Sequence, residues 1–162
     1  MPGRWSHLAA RFVDVVTSRP LDHTERAAVR QWLTKPTVAE GFFAQSDADQ
    51  RHGYAAALAV VAEAPARLDL IRAALLHDIG KRHARLGALA RSAASVAIRL
   101  RLPLPARWEL YRDHGSLSAA ELAGVEPVVT DFARHHHGTR PATIPPEDWD
   151  LLVRADAARI GR

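Results

Sequence analysis

Cysteine is absent from all 162 residues of the chain. Disulfides, thiolate zinc sites and cysteine nucleophiles are therefore excluded. Any bound metal must be held by nitrogen and oxygen ligands alone. Histidine and the acidic residues are consequently the side chains to follow when a metal or catalytic site is sought.

Long apolar runs are also missing, because no stretch reaches the roughly 18 to 20 residues that a membrane-spanning helix needs. The start of the chain reads MPGRWSHLAARFVDVV, carries Arg11 and Asp14 inside its apolar part, and lacks a signal peptide's apolar core and cleavage site. We therefore expect a cytoplasmic protein with no membrane segment.

Strand signals are lacking too: the sequence shows no alternating apolar pattern, no long internal repeat and no low-complexity tail. The apolar spacing instead predicts helices separated by proline and glycine. They are predicted at residues 4–16, 22–33, 38–43, 46–64, 67–79, 84–100, 106–114, 116–123, 127–137 and 147–160. With 48% apolar residues, the chain can bury one core. We predict an all-α, compact single-domain helical bundle over residues 1–162.

Some predicted helix ends carry recognisable capping residues. Asp22 and Glu25 have the spacing of a capping box, and Ser46 can cap the helix that follows it. Gly80 is expected at the C-terminal cap of the helix at 67–79.

The net charge of +4 comes from 22 basic and 18 acidic residues. A balance of this size suits an anionic ligand such as a nucleotide or a phosphate ester, but it is too dispersed for a DNA-binding face. Lys35 and Lys81 are the only lysines. Lys81 directly follows the sequence HDIG, which indicates a need for a compact point charge that the planar guanidinium of arginine does not supply.

The most informative stretch is LLHDIGK, residues 75–81. Residues 68–76 read LDLIRAALL and are apolar around almost the whole helical wheel, as in a central, buried helix. His77 and Asp78 are therefore expected inside the protein. An isolated buried carboxylate is costly, so Asp78 requires partners.

Other predicted helices also place a polar residue where their apolar stripe continues. Asp156 follows the stripe of Trp149, Leu152 and Val153, and His136 follows the stripe of Val129, Phe132 and Ala133. His114 lies between Leu110 and Leu117, and His52 shares a face with Ala55, Ala56 and Ala59. Five segments thus direct metal-competent side chains inward.

Each of these residues has an ordinary structural explanation when it is taken alone. His52 or His114 could be a hydrogen-bonded core histidine, Asp156 could pair with Arg154 or Arg159, and residues 135–137 could form a solvated helix end. Together, these explanations require several buried polar groups, each with its own partner. One dinuclear site would satisfy all of them. The possible ions are Fe, Mn, Co, Ni, Zn and Mg.

The order of these residues resembles that of the HD superfamily of metal-dependent phosphohydrolases. The matching segments are HDIGK at 77–81, DHGSLSAAEL at 113–122, HHGT at 136–139 and RADAAR at 154–159. They are most similar to the two-metal branch, which includes cyclic-dinucleotide phosphodiesterases. The resemblance covers residues 48–162 and implies an HD-type helical domain. We expect residues 1–45 to form a helical extension that packs on it.

The resemblance implies that His52, His77, Asp78 and Asp156 bind one metal ion, and that His114, His136 and His137 bind a second, with Asp78 bridging the two. The sequence departs from related chains at two places. Residues 138–146 read GTRPATIPP where enzymes that cleave cyclic di-GMP have a GYP signature, and Ala48 stands where trinuclear members have a glutamate. A trinuclear site and cyclic di-GMP as substrate are therefore not expected.

The implied activity is hydrolysis of a phosphoester or phosphodiester bond in a small phosphorylated or nucleotide-like substrate by a metal-bound hydroxide. Asp78 and Lys81 are the candidate catalytic residues. Lys81 would stabilise charge on the phosphoryl oxygens, although it could also act only as a helix cap. Arg82, Arg85 and Arg140 are candidate phosphate contacts. Two other functions remain open: a diiron oxygenase on the same fold, and a non-catalytic regulatory or binding module.

Overall fold

The structure is a computed structural model that describes residues 18–158, except for the side chain of Ala88. Over these residues it contains no strand, nine α-helices and one 3-10 helix, so the prediction of an all-α fold is confirmed. The helices are α1 (His23–Trp32), α2 (Pro36–Phe43), α3 (Asp47–Glu63), α4 (Leu68–Leu76), the 3-10 helix (Ile79–Ala84), α5 (Ala88–Arg99), α6 (Ala106–Arg112), α7 (His114–Glu121), α8 (Pro127–His135) and α9 (Pro146–Asp156). The helix predicted at 4–16 lies outside the described residues.

The first helices begin as their capping residues predict. The Asp22 side chain accepts from the Glu25 amide while the Glu25 side chain accepts from the Asp22 amide, both at 2.8 Å, which completes the capping box of α1. Ser46 caps α3, since its hydroxyl oxygen accepts from the Asp49 amide. These bonds satisfy backbone donors that have no partner within a helix.

Helix α4 lies at the centre of the core, as its apolar sequence predicts. Leu70, Ile71, Leu75 and Leu76 are all buried. The helix packs against α3, α8 and α9. The same core includes side chains from α1 and α2. Residues before position 48, where the resemblance to the HD superfamily begins, therefore also contribute to the core.

The central helix ends earlier than predicted. It stops at Leu76 instead of residue 79, and the chain then tightens into the 3-10 helix. The assignment of Gly80 to a C-terminal cap is therefore wrong. Gly80 lies inside the 3-10 helix, and Gly124 is the only glycine with a positive φ among residues 18–158. The helix predicted at 84–100 likewise starts later, at Ala88, because Arg85 adopts a left-handed conformation with φ 48°.

Gly80 lets two segments pack closely and does not end a helix. A Cβ at this position would lie 2.4 Å from the carbonyl oxygen of His114 and 2.7 Å from the amide nitrogen of Ser118. The Gly80 amide also donates to the Ser118 hydroxyl at 2.8 Å. Glycine therefore allows α7 to approach the segment that carries Asp78.

Gly80→Ala is expected to destabilise the protein by about 1–3 kcal/mol and to weaken the approach of His114 to Asp78, because the clash is with backbone that cannot rotate away. Urea unfolding gives the free energy change. Gly87→Ala is the matched control, since a Cβ at residue 87 would have nothing within 4 Å. Equal stability of the two variants would contradict this account of Gly80.

No helix among residues 18–158 is both long enough and apolar enough to cross a bilayer.

Candidate metal centre

All seven residues predicted as metal ligands meet at one place, where α3, α4, α7, α8 and α9 converge. They form two groups. Within each group, the atoms that could bind a metal lie within 4.8 Å of one another. The first group is His52, His77 and Asp156, and the second is Asp78, His114, His136 and His137. Buried clusters of imidazole and carboxylate with this spacing could hold metal ions.

Asp78 lies between the two groups, and its two carboxylate oxygens face different histidines. Oδ1 lies 3.2 Å from His114 Nε2 and 3.4 Å from His136 Nε2. Oδ2 lies 3.3 Å from His77 Nε2 and 3.7 Å from His52 Nε2. A single buried carboxylate therefore connects both halves of the cluster.

The first group depends on a close approach of α3 to α4. A Cβ at Gly53 would lie 2.5 Å from the Leu75 carbonyl oxygen, so glycine is needed directly after His52. Asp156, from the end of α9, completes the group. Its Oδ1 lies 3.0 Å from His52 Nε2 and 3.1 Å from His77 Nε2.

Three of the histidines are oriented by the same backbone contact. The Nδ1 atoms of His77, His114 and His136 donate to the carbonyl oxygen three residues earlier, at 2.8, 2.6 and 2.9 Å. Because each Nδ1–H is used in this way, the Nε2 of each ring faces the cluster. Metal-ligating histidines are commonly oriented by such bonds from their other nitrogen.

Four of the atoms that face the cluster make no hydrogen bond. His77 Nε2, His114 Nε2, His136 Nε2 and Asp78 Oδ1 are buried, and none makes a hydrogen bond within the described part of the chain. Their close neighbours are other members of the cluster, at 3.1–3.4 Å. Buried polar atoms are seldom left in this state, and a cation bound in each of the two groups would satisfy all four.

Both carboxylates are ionised at neutral pH. Burial alone would raise the pKa of Asp78, but Lys81 and His77 outweigh it and hold the pKa well below its usual value. Burial likewise opposes ionisation of Asp156, but contacts with His52 and His77 hold its pKa far below the usual range. Carboxylates in this state are ready to bind a cation.

The histidines differ in charge state. Burial lowers the pKa of His136. Partial burial, together with the neighbouring His136 and His114, lowers the pKa of His137 to about 3. Both rings are therefore neutral at pH 7. Burial also disfavours the charged form of His77, but Asp78 and Asp156 outweigh it and raise its pKa to about 10. In the metal-free protein the His77 ring is therefore positively charged at pH 7.

Lys81 is buried beside the cluster, and its ammonium group contacts Asp78 Oδ2. This is the oxygen that faces His52 and His77. Lys81 thus places a positive charge at the edge of the first group.

The three predicted phosphate contacts lie outside the two ligand groups. The Arg82 guanidinium pairs with Glu121 at 2.6 Å, and that of Arg140 donates to the Ile144 carbonyl oxygen at 2.6 Å. Arg85 is exposed at the end of the 3-10 helix. Their roles in substrate binding stay predictions.

Two of the ordinary explanations for single residues can be compared with the structure. Asp156 contacts His52 and His77 and does not pair with Arg154, which pairs with Glu63. Its pairing with Arg159 falls outside the described residues and stays a prediction. The run at 135–137 is not merely a solvated helix end, because His136 is buried.

A buried ion pair beside the cluster was not predicted. Asp49, one turn before His52 on α3, binds Arg91 of α5 through two bonds of 2.6 and 2.7 Å. Both residues have low side-chain exposure. The sequence does show an acidic residue three positions before His52, but nothing in it indicates which arginine pairs with that residue.

No family model, no curated protein and no solved structure matches this chain.

Proposed function

We propose that the protein is a metal-dependent phosphohydrolase of the HD superfamily, which holds two divalent metal ions and cleaves a phosphoester or phosphodiester bond in a nucleotide-like substrate. The observation that carries the proposal is the position of Asp78. One carboxylate oxygen faces His114 and His136 while the other faces His52 and His77, which is the arrangement that a carboxylate shared by two ions requires.

The donor set fits such a pair of ions. His52, His77, Asp156 and Asp78 Oδ2 would hold one ion, and His114, His136, His137 and Asp78 Oδ1 would hold the other. All the donors are nitrogen or oxygen, which suits Fe, Mn, Co, Ni, Zn or Mg. Of the five buried side-chain atoms without hydrogen bonds among residues 18–158, four belong to this set, and the fifth is Gln50 Oε1.

Two bound divalent ions supply the chemistry that phosphate ester hydrolysis needs, since they lower the pKa of water and neutralise charge on the phosphoryl group. The protein's own residues fix the geometry. The Nδ1 bonds of His77, His114 and His136 hold the three rings in place before a substrate arrives. Preorganised groups of this kind do not have to reorient during the reaction.

Lys81 is the side chain best placed to assist charge development on the substrate. Its ammonium group is buried beside Asp78, so it acts where water screens charge weakly. We assign it the stabilisation of the phosphoryl oxygens in the transition state.

Metal binding to the metal-free protein is expected to release the proton of His77. A ring with a pKa of about 10 is protonated at pH 8 and must lose that proton to become a ligand. Apparent metal affinity should therefore rise by about tenfold for each pH unit between about 7 and 9. Titration calorimetry with Mn²⁺ in buffers of different ionisation enthalpy counts the protons released.

His83→Gln is the matched control, because His83 belongs to neither ligand group and pairs with Glu121. It should release the same number of protons as the native chain. Metal binding without proton release at pH 8 would contradict the charge state assigned to His77.

Metal analysis of the purified full chain, followed by an activity screen, tests the proposal. The screen should cover phosphomonoesters and linear and cyclic dinucleotides with added Mn²⁺ or Fe²⁺, with phosphate-bond cleavage and O₂ consumption measured in parallel. We expect two ions per chain and cleavage of at least one substrate class. O₂ consumption with iron and no hydrolysis would identify an oxygenase instead. A chain that binds no metal would point to a non-catalytic module.

A further inference from the structure

A leucine at each end of helix α5 is exposed, while two alanines between them are buried. Leu89 is 75% exposed and Leu100, directly after the helix, is 62% exposed, whereas Ala94 and Ala97 are 0% and 7% exposed. Soluble helices normally bury the larger apolar residues, because burial of a leucine stabilises a fold more than burial of an alanine does. Most of the surface of Leu89 and Leu100 is therefore left uncovered by the described part of the chain.

These exposed residues share one side of the helix. Leu89 and Leu100 are eleven residues apart, which is close to three full turns, and Ala93 and Val96 lie on the same side between them. Ala93 is exposed and Val96 is half-buried. We name Leu89, Ala93, Val96 and Leu100 the α5 face.

The segment that contains the α5 face is rich in basic residues. Residues 79–108 contain one lysine and six arginines and no acidic residue. Arg85, Arg99 and Arg101 flank the face and are exposed. Arg91, on the same helix, is bound to Asp49, so that carboxylate is already neutralised and does not offset the flanking arginines.

We propose that the α5 face is a docking surface for an anionic lipid membrane, on which the protein lies without crossing the bilayer. Exposed leucines on one side of a helix with arginines beside them are the two components of interfacial membrane binding. The leucines would enter the apolar boundary of the lipid, and the arginines would bind lipid phosphates while their stems cover apolar surface.

The observations favour lipid over other occupants. A nucleic acid would satisfy the arginines, but phosphate contacts would leave the leucines in water. Residues 1–17 carry Arg4 and Arg11 against Asp14, so their charge does not complement an arginine-rich surface. A second copy of the same face would bring like charges together. The proposal does not depend on the activity of the metal centre.

Co-sedimentation of the full chain with vesicles tests the proposal. We expect binding to vesicles that contain about one-third phosphatidylglycerol in phosphatidylcholine, no binding to phosphatidylcholine alone, and weaker binding as NaCl is raised from about 50 mM to about 0.5 M. The double variant Leu89→Ser/Leu100→Ser should bind at least about tenfold more weakly. Arg99→Gln/Arg101→Gln should also bind on the order of tenfold more weakly and respond less to salt.

The matched control is Leu58→Ser/Leu68→Ser, which changes two leucines that are 43% and 44% exposed outside the α5 face. It should bind vesicles like the native chain, and thermal melts should show that all variants fold. Absence of binding to anionic vesicles overturns the proposal. So does binding that survives loss of Leu89 and Leu100, which would assign it to arginines alone or to residues 1–17. Dimerisation that depends on those leucines, seen by sedimentation velocity, would assign the face to a second copy and also overturn it.

Discussion

Asp78→Asn is expected to remove metal from both ligand groups and to reduce hydrolysis by more than about a thousandfold. Asparagine keeps the size of the side chain but loses the charge that the proposed ions share. Since each oxygen of Asp78 faces a different group of histidines, no other single substitution should affect both ions equally. Metal content per chain and phosphate release measure the two effects.

The same substitution should destabilise the metal-free protein by roughly 3–5 kcal/mol, because buried Lys81 loses the carboxylate that it contacts. Circular dichroism and urea unfolding therefore accompany the activity measurement. Asp150→Asn is the matched control, since Asp150 lies exposed on α9, the helix that carries Asp156. A folded Asp78→Asn chain with two ions and native activity would refute the proposed function.

Lys81→Met is expected to retain both metal ions and to lose about a hundredfold to a thousandfold in kcat. Methionine fills similar volume without charge, so the pocket around residue 81 remains filled. Metal affinity should stay equal or rise, because the Lys81 ammonium group contacts the Asp78 oxygen that faces His52 and His77 and competes with a cation there.

Lys35→Met supplies the control for Lys81, because Lys35 is the other lysine of the chain and is exposed, with its ammonium group donating to the Gly124 carbonyl oxygen. It should leave kcat and metal content unchanged. If Lys81→Met lowers stability without lowering the rate of the folded enzyme, Lys81 acts only as a structural residue and the assigned role is wrong.

The cluster itself could be anticipated from sequence because helical periodicity determines which residues share a side of a helix. Asp156 and His136 each continue an apolar stripe, and His77 and Asp78 follow a segment with no polar side. Buried polar groups require partners, so residues of this kind on several helices are expected to meet. The structure places all seven in two adjoining groups.

The sequence did not predict where the central helix ends or what Gly80 does. A glycine after an apolar helix is most often a cap, but at Gly80 the missing Cβ makes room for the backbone of α7. A contact between segments more than thirty residues apart depends on how the helices pack, which the local pattern does not encode. The pairing of Asp49 with Arg91 was hidden for the same reason.

The sequence by itself determined that this chain is helical, that its metal ligands can only be nitrogen and oxygen, and which residues interrupt the apolar stripes. Only the tertiary structure decided that the two oxygens of Asp78 face different histidines, and that Ala94 and Ala97 of α5 are buried while Leu89 and Leu100 are exposed. The physical reason is that a periodic pattern defines the sides of a helix, whereas its neighbours decide which side is covered.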